Sequence, residues 1–495
     1  MFIPVVLEEQ IIPGTFAFAL HHIVDQELEL TGLDEKFAND KTGASAYDPR
    51  VMLKVVLLGY SFGLISSRSI ARACSQNILF MAMSGDSRPS YTHIAKFVRG
   101  MSDAIKPLFQ QVLMICDAQG LIGKEMFAID GVKLPSNASK ERSGTHAELI
   151  HRAERLDKAA AKILQRHQEQ DQGKAEEPLG AKAVAQRDKL QREAQKMREF
   201  VATNQPRLNA KGIELKSNVT DPDSAKMATS KGVIQGYAAQ AAVDSKHQVI
   251  VAADAIGSGN EQSALLPMIE QSQIVATDQT LFTADAGYHN QANLKALKEQ
   301  DIPALIADNQ MRSRDEAFAE QSKYRTITLH DKTGIEAQSK AREGLYQVSE
   351  FTYDKDNNCA ICPMGQSLYS AGSNIKAKGA VFHRFKGTVR GCVPCENRHL
   401  CLRYPNKTRF RTVAIMVGRQ DRSQEPTTQM REAIDSPEGR RRYSQRMGTV
   451  EPVFANIRHN KQLSRFTLRG KCKVNAQWNM YCMVHNIEKI ATMGY

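Results

Sequence analysis

The segment Met126–Asp130, MFAID, marks the point where the sequence changes from helical to mixed character. A short apolar run that ends in a carboxylate, followed by Gly131 and polar residues to Lys140, predicts a strand that runs into a turn. Asp130 is therefore expected at the exit of that strand. Later segments alternate between strand-like and helical patterns, which predicts a mixed α/β core. The strand-like runs are Tyr237–Val243, Val249–Ala253, Leu281–Ala284 and Ile302–Ala307, and the helical ones are Glu261–Glu270 and Gln291–Glu299.

The regions around this core have different residue patterns. Residues 1–115 show apolar positions at helical spacing and predict an all-helical N-terminal domain. Residues 120–308 form the first part of the core, interrupted by a polar helical hairpin at 145–202 whose helices are joined by DQGKAEEPLG. Residues 309–429 fit the alternation poorly and contain five of the nine cysteines, which predicts an insertion. Residues 430–495 return to a helical pattern and complete the core.

Composition restricts the class of protein. The chain has 495 residues, 42% of them hydrophobic, and a formal net charge of +12, which fits a globular protein with an acidic partner such as DNA or an anionic membrane. The most apolar stretch, Val51–Ile65, is shorter than the roughly 18 residues that span a bilayer and contains Lys54, so we expect a buried helix and no membrane partner. No secretory signal is visible at the N-terminus, which predicts a cytoplasmic protein.

Three carboxylates stand out by their context. Asp130 follows FAI, Asp285 follows LFTA, and Glu451 lies in YSQRMGTVEPVFANIR at residues 443–458. Carboxylates brought together could hold Mg²⁺ ions that activate a hydroxyl nucleophile at a phosphodiester, but acidic residues at strand ends also commonly cap turns and helices. Spacing alone favours the capping role. A lone histidine such as His485 on an apolar helix is expected to be structural.

The cysteines form a second group. Cys359 and Cys362 form CAIC, Cys392 and Cys395 form CVPC, and Cys401 follows. Paired C-x-x-C motifs predict a closed, structural Zn²⁺ site, in which Cys401 replaces one of the four or has no metal role; reduced buried cysteines or a redox pair are the alternative. The remaining cysteines lie on apolar helical segments and are expected to be core residues: Cys74, Cys116, Cys472 and Cys482.

Basic residues are unevenly distributed. Residues 403–446 contain eleven Lys or Arg against five acidic residues, an excess of six that is half of the net charge. Such a run is usually a solvated surface, but its position directly before Glu451 favours contact with DNA phosphates. In the N-terminal domain, Arg50, Arg68 and Arg72 lie on polar helix faces that suit either phosphate contacts or an ordinary surface.

Several longer segments resemble the DDE transposases of bacterial insertion sequences, in the branch with a helical N-terminal domain and a ribonuclease-H-like catalytic core. The resemblance covers nearly the whole chain. The N-terminal segments are YDPRVMLKVVLLGYSFGLISSRSIARAC (47–74) and SGDSRPSYTHIAKF (84–97). The core segments are FAIDGVKLPSNAS (127–139), NVTDPDSAKM (218–227), GYAAQAAVDSKHQVIVAAD (236–254) and TADAGYHNQANLKAL (283–297). The C-terminal segments are RMGTVEPVFANIR (446–458) and WNMYCMVHNIEKI (478–490).

The resemblance implies roles for individual residues. Asp130, Asp285 and Glu451 would ligate two Mg²⁺ or Mn²⁺ ions. Tyr443, Arg446 and Arg458 would lie near the DNA end, at positions similar to a Tyr-Arg-Glu-Lys signature. Arg446 precedes Glu451 by five residues where the signature has four, and an arginine stands in the lysine position. The neighbouring arginines would add phosphate contacts: Arg440, Arg441 and Arg442.

The resemblance also implies an activity. The chain would bind the ends of its insertion sequence, cleave the DNA strand by hydrolysis and join the released 3′ hydroxyl to target DNA. Holding two double-stranded ends together implies a homodimer in the synaptic complex. The alternatives are a ribonuclease-H-like nuclease that cuts without joining and a DNA-binding protein with an inactive catalytic centre.

Overall fold

The computed structural model describes residues 5–34, 46–171, 181–209, 211–315, 318, 345–377, 380–419 and 425–493. Most of the DQGKAEEPLG linker and parts of the expected insertion, including residues 319–344 and 420–424, lie outside the described residues. The chain divides into two compact units. The first unit comprises Met1–Ala307 and Ser436–Tyr495, and the second comprises Asp308–Asp435.

The N-terminal region of the first unit is helical and belongs to the same compact unit as the sheet described below. Its helices start at side chains that accept a hydrogen bond from the first turn: Asp48 before Pro49, Ser66, Asn77 and Ser90. The helices are α1 (Phe16–His22), α2 (Thr31–Asp34), α3 (Pro49–Ser61), α4 (Ser67–Gln76), α5 (Ile78–Ser84), α6 (Tyr91–Gly100) and α7 (Ile105–Ala118).

Helix α3 carries the most apolar stretch of the chain and is buried on nearly all sides, as the sequence predicts. Lys54 is buried with it, and its ammonium lies 2.8 Å from a carboxylate oxygen of Asp25 and 3.2 Å from Nδ1 of His21. An interior lysine needs such partners because an isolated charge is costly to remove from water. Within the described residues, no helix is both long enough and apolar enough to cross a bilayer.

The polar hairpin packs beside a small two-stranded ladder. Helix α8 (His146–Asp171) and helix α9 (Ala181–Thr203) pack against each other through Ala153, Ala194 and Met197, which are buried. The small side chains let the two helices approach closely, while their outer faces stay charged. The ladder joins β2 (Ser143–Gly144) to β3 (Ser217–Asn218).

A mixed sheet forms the centre of the first unit. Its strands are β1 (Met126–Pro135), β4 (Ala225–Thr229), β5 (Gly232–Asp244), β6 (Ile250–Ile256), β7 (Leu281–Ala284) and β8 (Ala304–Ile306). The spatial order is β6, β5, β1, β7, β8, and β4 also pairs with β5. Strands β1, β7 and β8 are parallel, whereas β5 runs antiparallel to both β1 and β6. Helix α10 (Leu265–Ser272) precedes β7 and helix α11 (Gln291–Glu299) precedes β8, as βαβ connections require.

The second unit contains a separate antiparallel sheet with a small core. The sheet follows the order β13, β12, β11, β10, β9. Its buried cluster consists of Phe351, Ala360, Leu368, Phe385 and Val413. The strands are β9 (Thr352–Asp354), β10 (Cys359–Ile361), β11 (Ser367–Ala377), β12 (Ala380–Lys386) and β13 (Thr412–Arg419), and the helices are α12 (Val389–Cys392), α13 (Arg398–Cys401) and α14 (Pro426–Asp435).

Two C-terminal helices complete the first unit. Helix α15 (Pro437–Ala455) starts at Ser436, whose hydroxyl accepts the Gly439 N–H, and it packs against β1. Helix α16 (Lys471–Met493) contacts β6 and also α1, α3 and α7, so it lies between the sheet and the N-terminal helices. The rings of Tyr60 on α3 and Tyr481 on α16 stack with centroids 4.4 Å apart.

Polar side chains of α16 bond directly to the backbone of the sheet. The Asn486 amide accepts the Ile250 N–H and donates to the Ile250 carbonyl, both at 2.8 Å, and the Trp478 indole donates to the Gln240 carbonyl at 2.8 Å. These bonds satisfy backbone groups that would otherwise be buried without partners. The polar residues of this helix are therefore structural.

His485 is one of these residues. It is buried, its Nε2 donates to the Gln248 carbonyl at 2.9 Å, and its Nδ1 accepts from Asn456 at 3.1 Å. Burial lowers the pKa of His485 to about 4, with the charges of Lys489 and Lys461 acting in the same direction. The imidazole is therefore neutral and structural, in agreement with the sequence prediction.

This burial predicts a specific pH dependence of stability. Because the folded-state pKa lies below the unfolded value of about 6.5, the unfolded chain binds the extra proton as the pH falls. The contribution of His485 is fully present above pH 6.5 and decreases towards pH 4, by about 3 kcal/mol. Urea unfolding between pH 4 and 7 should therefore give a flatter pH profile for His485→Asn. The exposed control His459→Asn should keep the wild-type slope, and equal slopes for all three proteins would contradict the prediction.

Candidate active site

Two of the predicted carboxylates emerge side by side from neighbouring parallel strands. Ile129 of β1 is the register partner of Ala284 of β7, and Asp130 and Asp285 directly follow them. Parallel strands present their carboxyl ends at the same edge, so both side chains lie at one edge of this strand pair. Each carboxylate lies within the electrostatic range of the other, and the charge of Asp285 acts to raise the pKa of Asp130.

Asp130 lies within its strand, so the prediction of a strand exit at this residue is wrong. Strand β1 continues to Pro135 because the long partner β5 pairs with it over that whole length, from Asp130 opposite Ala241 to Pro135 opposite Gly236. Backbone pairing outweighs the polar composition that predicted a turn. Only the pairing of β1 with β7 ends at Ile129.

Arg446 of α15 forms a buried ion pair with Asp130. Its Nη2 lies 2.8 Å from Oδ2 of Asp130 and 3.4 Å from the Ile129 carbonyl oxygen, and only 8% of its side chain is exposed. Burial raises the pKa of Asp130, while Arg446 and the Gly131 N–H, which donates at 2.8 Å, oppose that rise. The arginine therefore supplies a positive charge that favours the ionised form of a largely buried carboxylate.

A third carboxylate, Glu261, lies near this pair. Its side chain is 15% exposed and one oxygen lies 3.9 Å from the Lys133 ammonium. Burial raises the pKa of Glu261 and Lys133 lowers it, while the charges of Asp285 and Asp130 raise it further. The local pattern indicated Glu261 only as the start of a helix. Its position between β6 and α10 depends on strand order, so no local motif could have indicated its proximity to Asp130.

Buried polar groups lie beneath these carboxylates. The Tyr288 hydroxyl donates a short hydrogen bond to Oε1 of Gln240, while Nε2 of Gln240 has no hydrogen-bond partner among the described atoms. Burial raises the pKa of Tyr288, and the nearby charges of Glu261 and Asp130 act in the same direction, so the phenol stays protonated. No local pattern indicated Gln240 or Tyr288, because the two meet only when β5 and β7 both pair with β1.

Glu451 lies elsewhere on α15. The buried face of the helix carries Arg446, Val450 and Val453, whereas Glu451 is exposed. Five residues of an α-helix turn about 140° from the starting direction, which separates Glu451 from the Arg446 face. Pro452 has no N–H to donate to the Gly448 carbonyl, and that carbonyl accepts the Gln248 side chain at 3.1 Å instead. The structure thus brings Asp130 and Asp285 together without Glu451.

Comparison with protein families identifies the class of the chain. A family model described as "Transposase DDE domain" matches residues 361–491, and a model described as "Transposase domain (DUF772)" matches residues 5–100. Both descriptions support a DDE transposase of an insertion element. No curated protein matches the chain. Arg446 and Glu451 lie in the range matched by the DDE-domain model, whereas Asp130 and Asp285 lie outside both matched ranges.

DDE transposases use divalent metal ions, and the residues of this transposase fit such an ion in part. Asp130 and Asp285 provide carboxylate oxygens, which are the donors preferred by Mg²⁺ and Mn²⁺. Arg446 already neutralises one of them, and Glu451 is not beside them. In the part of the chain that the structure describes, no three His, Cys, Asp or Glu side chains form a group that could hold a metal ion as they stand.

The predicted DNA contacts of α15 have different environments. Arg440, Arg442 and Tyr443 are half-buried on the first three turns, whereas Arg441 is exposed and pairs with Glu438 at 2.7 Å. Arg458 is exposed just beyond the end of the helix. Of the predicted arginines on this helix, Arg446 alone is buried in an ion pair with a strand carboxylate.

The predicted N-terminal contacts lie on two helices of the transposase. Arg68 and Arg72 are exposed and lie four residues apart on α4, so their side chains share a face. The guanidinium of Arg68 lies 5.0 Å from the ring centroid of Tyr91. Arg50 is half-buried near the start of α3. The α4 pair is thus available to a ligand on the surface of the helical region.

The cysteines outside the second unit mostly behave as predicted. Cys74, Cys116 and Cys482 are buried, and burial raises the pKa of each thiol. Cys472 is exposed, so its prediction as a core residue is wrong. It is the second residue of α16, and the buried stretch of that helix begins only at Val474.

The Arg446–Asp130 pair predicts a stability difference between two arginines of one helix. Arg446→Met leaves Asp130 without its counter-charge in a mostly buried site, which should lower the free energy of unfolding by about 2–4 kcal/mol at pH 7. Arg441→Met is the matched control, because its ion pair is fully exposed and its loss should change stability little. Urea unfolding of both variants checks this. Equal effects of the two substitutions would contradict the buried-pair interpretation.

Proposed function

We propose that this transposase binds the ends of its insertion sequence and catalyses metal-dependent cleavage and transfer of DNA strands. The observation that carries the proposal is the pairing of Ile129 with Ala284, which brings Asp130 and Asp285 to the same edge of a parallel strand pair. Adjacent carboxylates at this position suit binding of a divalent metal at a phosphodiester.

We also propose that the core is ribonuclease-H-like. The strand order supports this: taking β1, β5, β6, β7 and β8 as strands one to five, the order in the sheet is 3-2-1-4-5, with strand two antiparallel to its neighbours. The Cys-rich segment would be an insertion into this core, because the second unit starts directly after β8 and ends directly before α15. Residues 1–115 would form the helical DNA-recognition domain.

Asp130, Asp285 and Glu451 would be the metal ligands of the reaction. Support for Glu451 is its place on α15, the helix that also carries the Asp130 partner Arg446, within the matched transposase range. Binding of an ion by Glu451 together with the strand carboxylates would need a local rearrangement of the Glu451 segment of α15 that leaves the Arg446–Asp130 pair in place. A bound divalent ion would activate the attacking hydroxyl and stabilise the leaving oxygen.

The residues of the chain have separate tasks in this scheme. Asp130 and Asp285 would hold a divalent ion at the phosphodiester from the rigid end of a strand pair. Arg446 would position Asp130, because it pairs with the carboxylate from the side of α15 and opposes the effect of burial on its pKa. Two in-line displacements follow, first by water at the element end and then by the released 3′ hydroxyl at the target, without a covalent enzyme intermediate.

The exposed arginines would contact the DNA backbone. Arg68 and Arg72 on one face of α4, with Arg50 nearby in sequence, would grip phosphates from the helical region. The residues of α15 would lie near the element end: Tyr443, Arg446, Arg458, Arg440, Arg441 and Arg442. Two ends must be held at once, so we propose a homodimer in the synaptic complex, acting in the cytoplasm on nucleoid DNA. A structural Zn²⁺ in the Cys-rich unit completes the proposal.

Two other functions would share part of this scheme. A ribonuclease-H-like nuclease would cleave the element ends without joining them to a target. A DNA-binding protein with an inactive centre would do neither, but the presence of two adjacent strand carboxylates with a buried counter-charge favours an active site.

The catalytic proposal predicts the effect of four substitutions on strand cleavage. Asp130→Asn, Asp285→Asn and Glu451→Gln should each lower the rate by at least about 100-fold, since even outer partners of a metal site contribute about 10–100-fold. The purified transposase is incubated with Mg²⁺ or Mn²⁺, labelled element ends and a target plasmid. Glu261→Gln is the comparison, because it removes a nearby carboxylate that the proposal does not use as a ligand.

The products separate the alternatives. Cleaved ends with joined plasmid products support the transposase reaction, whereas cleaved ends alone would favour the nuclease. Wild-type cleavage in all three ligand variants would show that the metal-site assignment is wrong. A greater loss in Glu261→Gln than in Glu451→Gln would show that Glu261 is the third ligand.

The α4 arginines predict the salt dependence of end binding. Each phosphate contact contributes about 0.9 to the slope of log affinity against log salt, so Arg68→Gln with Arg72→Gln should lower that slope by nearly 2. Fluorescence anisotropy with a labelled element end at several salt concentrations measures the slope. Lys295→Gln removes an exposed cation that pairs with Glu299 on α11 and should leave the slope unchanged. An unchanged slope in the arginine variant would remove α4 from the DNA interface.

A further inference from the structure

The five cysteines of the second unit are not equivalent. Cys362, Cys392, Cys395 and Cys401 line one enclosed cavity of about 30 Å³, whereas Cys359 does not. Cys359 lies on β10 next to Ala360, whose side chain is in the buried cluster. Successive residues of a strand point to opposite faces, so Cys359 faces away from that cluster while Cys362, past the strand end, packs against it.

We infer that Cys362, Cys392, Cys395 and Cys401 form a structural four-sulfur Zn²⁺ site, and that Cys359 of the CAIC motif is not a ligand. This inference deepens the zinc part of the proposed function by assigning its ligands. The ligands would be Cys362 from the CAIC motif, the pair Cys392 and Cys395 from the CVPC motif, and Cys401. They would replace the two complete C-x-x-C pairs that the sequence predicts.

The loop around Cys362 has the geometry of a metal-binding turn. Gly365 has a φ of +74°, and its N–H donates to the Cys362 carbonyl at 2.8 Å. The chain then reverses so that the Cys362 N–H bonds to the Gln366 carbonyl at 3.0 Å, while the Gln366 N–H points at the Cys362 sulfur at 3.3 Å. A backbone N–H directed at a sulfur orients it, as outer contacts orient the ligands of metal sites.

The other three cysteines come from one folded loop. Cys392 ends α12 and Cys401 ends α13, with Cys395 between these two short helices. The guanidinium of Arg398 holds the loop closed, because it donates to the Cys392 carbonyl at 2.6 Å and to the Pro405 carbonyl at 2.8 Å. The loop is therefore shaped by contacts that leave its sulfur atoms directed to the cavity.

The sulfur atoms influence one another. The Cys401 sulfur lies within the electrostatic range of Cys392, Cys362 and Cys395, which line the same cavity. Mutual influence of this kind requires the four sulfurs to be close. The four thiols do not form a ligand group as they stand, so Zn²⁺ would draw them inwards to sulfur distances of about 2.3 Å from the ion.

The size of the local core provides the reason for a metal. The buried apolar cluster of the described sheet in the second unit contains five residues, with Cys362 and Cys401 packed at its margin. Cores this small rarely hold a fold without a disulfide or a metal, and all five cysteines are free thiols. A closed four-sulfur site would join β10 and the α12–α13 loop in the way that structural zinc does.

Differential alkylation of the full-length wild-type protein tests the assignment. The zinc-loaded protein and the chelator-treated protein are labelled with a thiol reagent, and each cysteine is quantified by peptide mass spectrometry. The four proposed ligands should be protected at least about tenfold by Zn²⁺, since coordinated thiolates are not free to react. Cys359 should react equally in both samples, and exposed Cys472 provides the internal reference for an unprotected thiol.

Zinc content provides the second measurement. Purified wild-type protein and Cys359→Ser should both contain about one Zn²⁺ per chain, whereas Cys401→Ser should lose it. Zinc-dependent protection of Cys359, retention of zinc by Cys401→Ser, a disulfide among these cysteines, or absence of zinc from the wild-type protein would each overturn the inference. Neither measurement depends on strand cleavage, so failure here is distinct from failure of the proposed transposase reaction.

Discussion

The unequal pairing of β1 is the constraint on which the candidate active site depends. On one side, β5 pairs with the strand through Pro135, while on the other β7 pairs only as far as Ile129. Asp130 is therefore held by pairing with β5 on one side of the strand. On the other side it lies just beyond the end of the pairing with β7. A carboxylate in this position is fixed by the backbone but free to meet a ligand, which is what a metal or phosphate site requires.

Charge balance at that edge explains the neighbouring residues. Asp130, Asp285 and Glu261 bring three acidic groups into one partly buried region, where like charges repel strongly. Arg446 and Lys133 supply two positive charges from α15 and from β1 itself. The remaining excess of negative charge suits a divalent cation, and Arg446 holds Asp130 in the arrangement that the structure describes.

The Cys-rich unit has a different physical constraint, which is the small size of its apolar core. Its sheet buries too few apolar side chains to be strongly stable, and the cysteines around its cavity lie where a metal would join separate segments. The stability of this unit matters because the chain enters it after β8 and leaves it before α15. The same chain segment thus leads from the mixed sheet to the helix that carries Arg446 and Glu451.

The sequence by itself determined the elements and the family. Local patterns placed β7 at Leu281–Ala284 and α11 at Gln291–Glu299 with the observed bounds, and the resemblance to DDE transposases is confirmed by the family matches. Such features depend on residues close in the chain, whose periodicity and composition are directly visible. The mixed α/β class followed from the same alternation.

Only the tertiary structure decided which side chains meet. The continuation of β1 past Asp130, the burial of Arg446, the approach of Glu261 and the exposure of Glu451 arise from strand register and from the rotation of α15 about its axis. The separation of Cys359 from the other cysteines likewise follows from strand alternation next to a buried residue. These outcomes depend on contacts between segments up to hundreds of residues apart, whose free energies local sequence patterns do not encode.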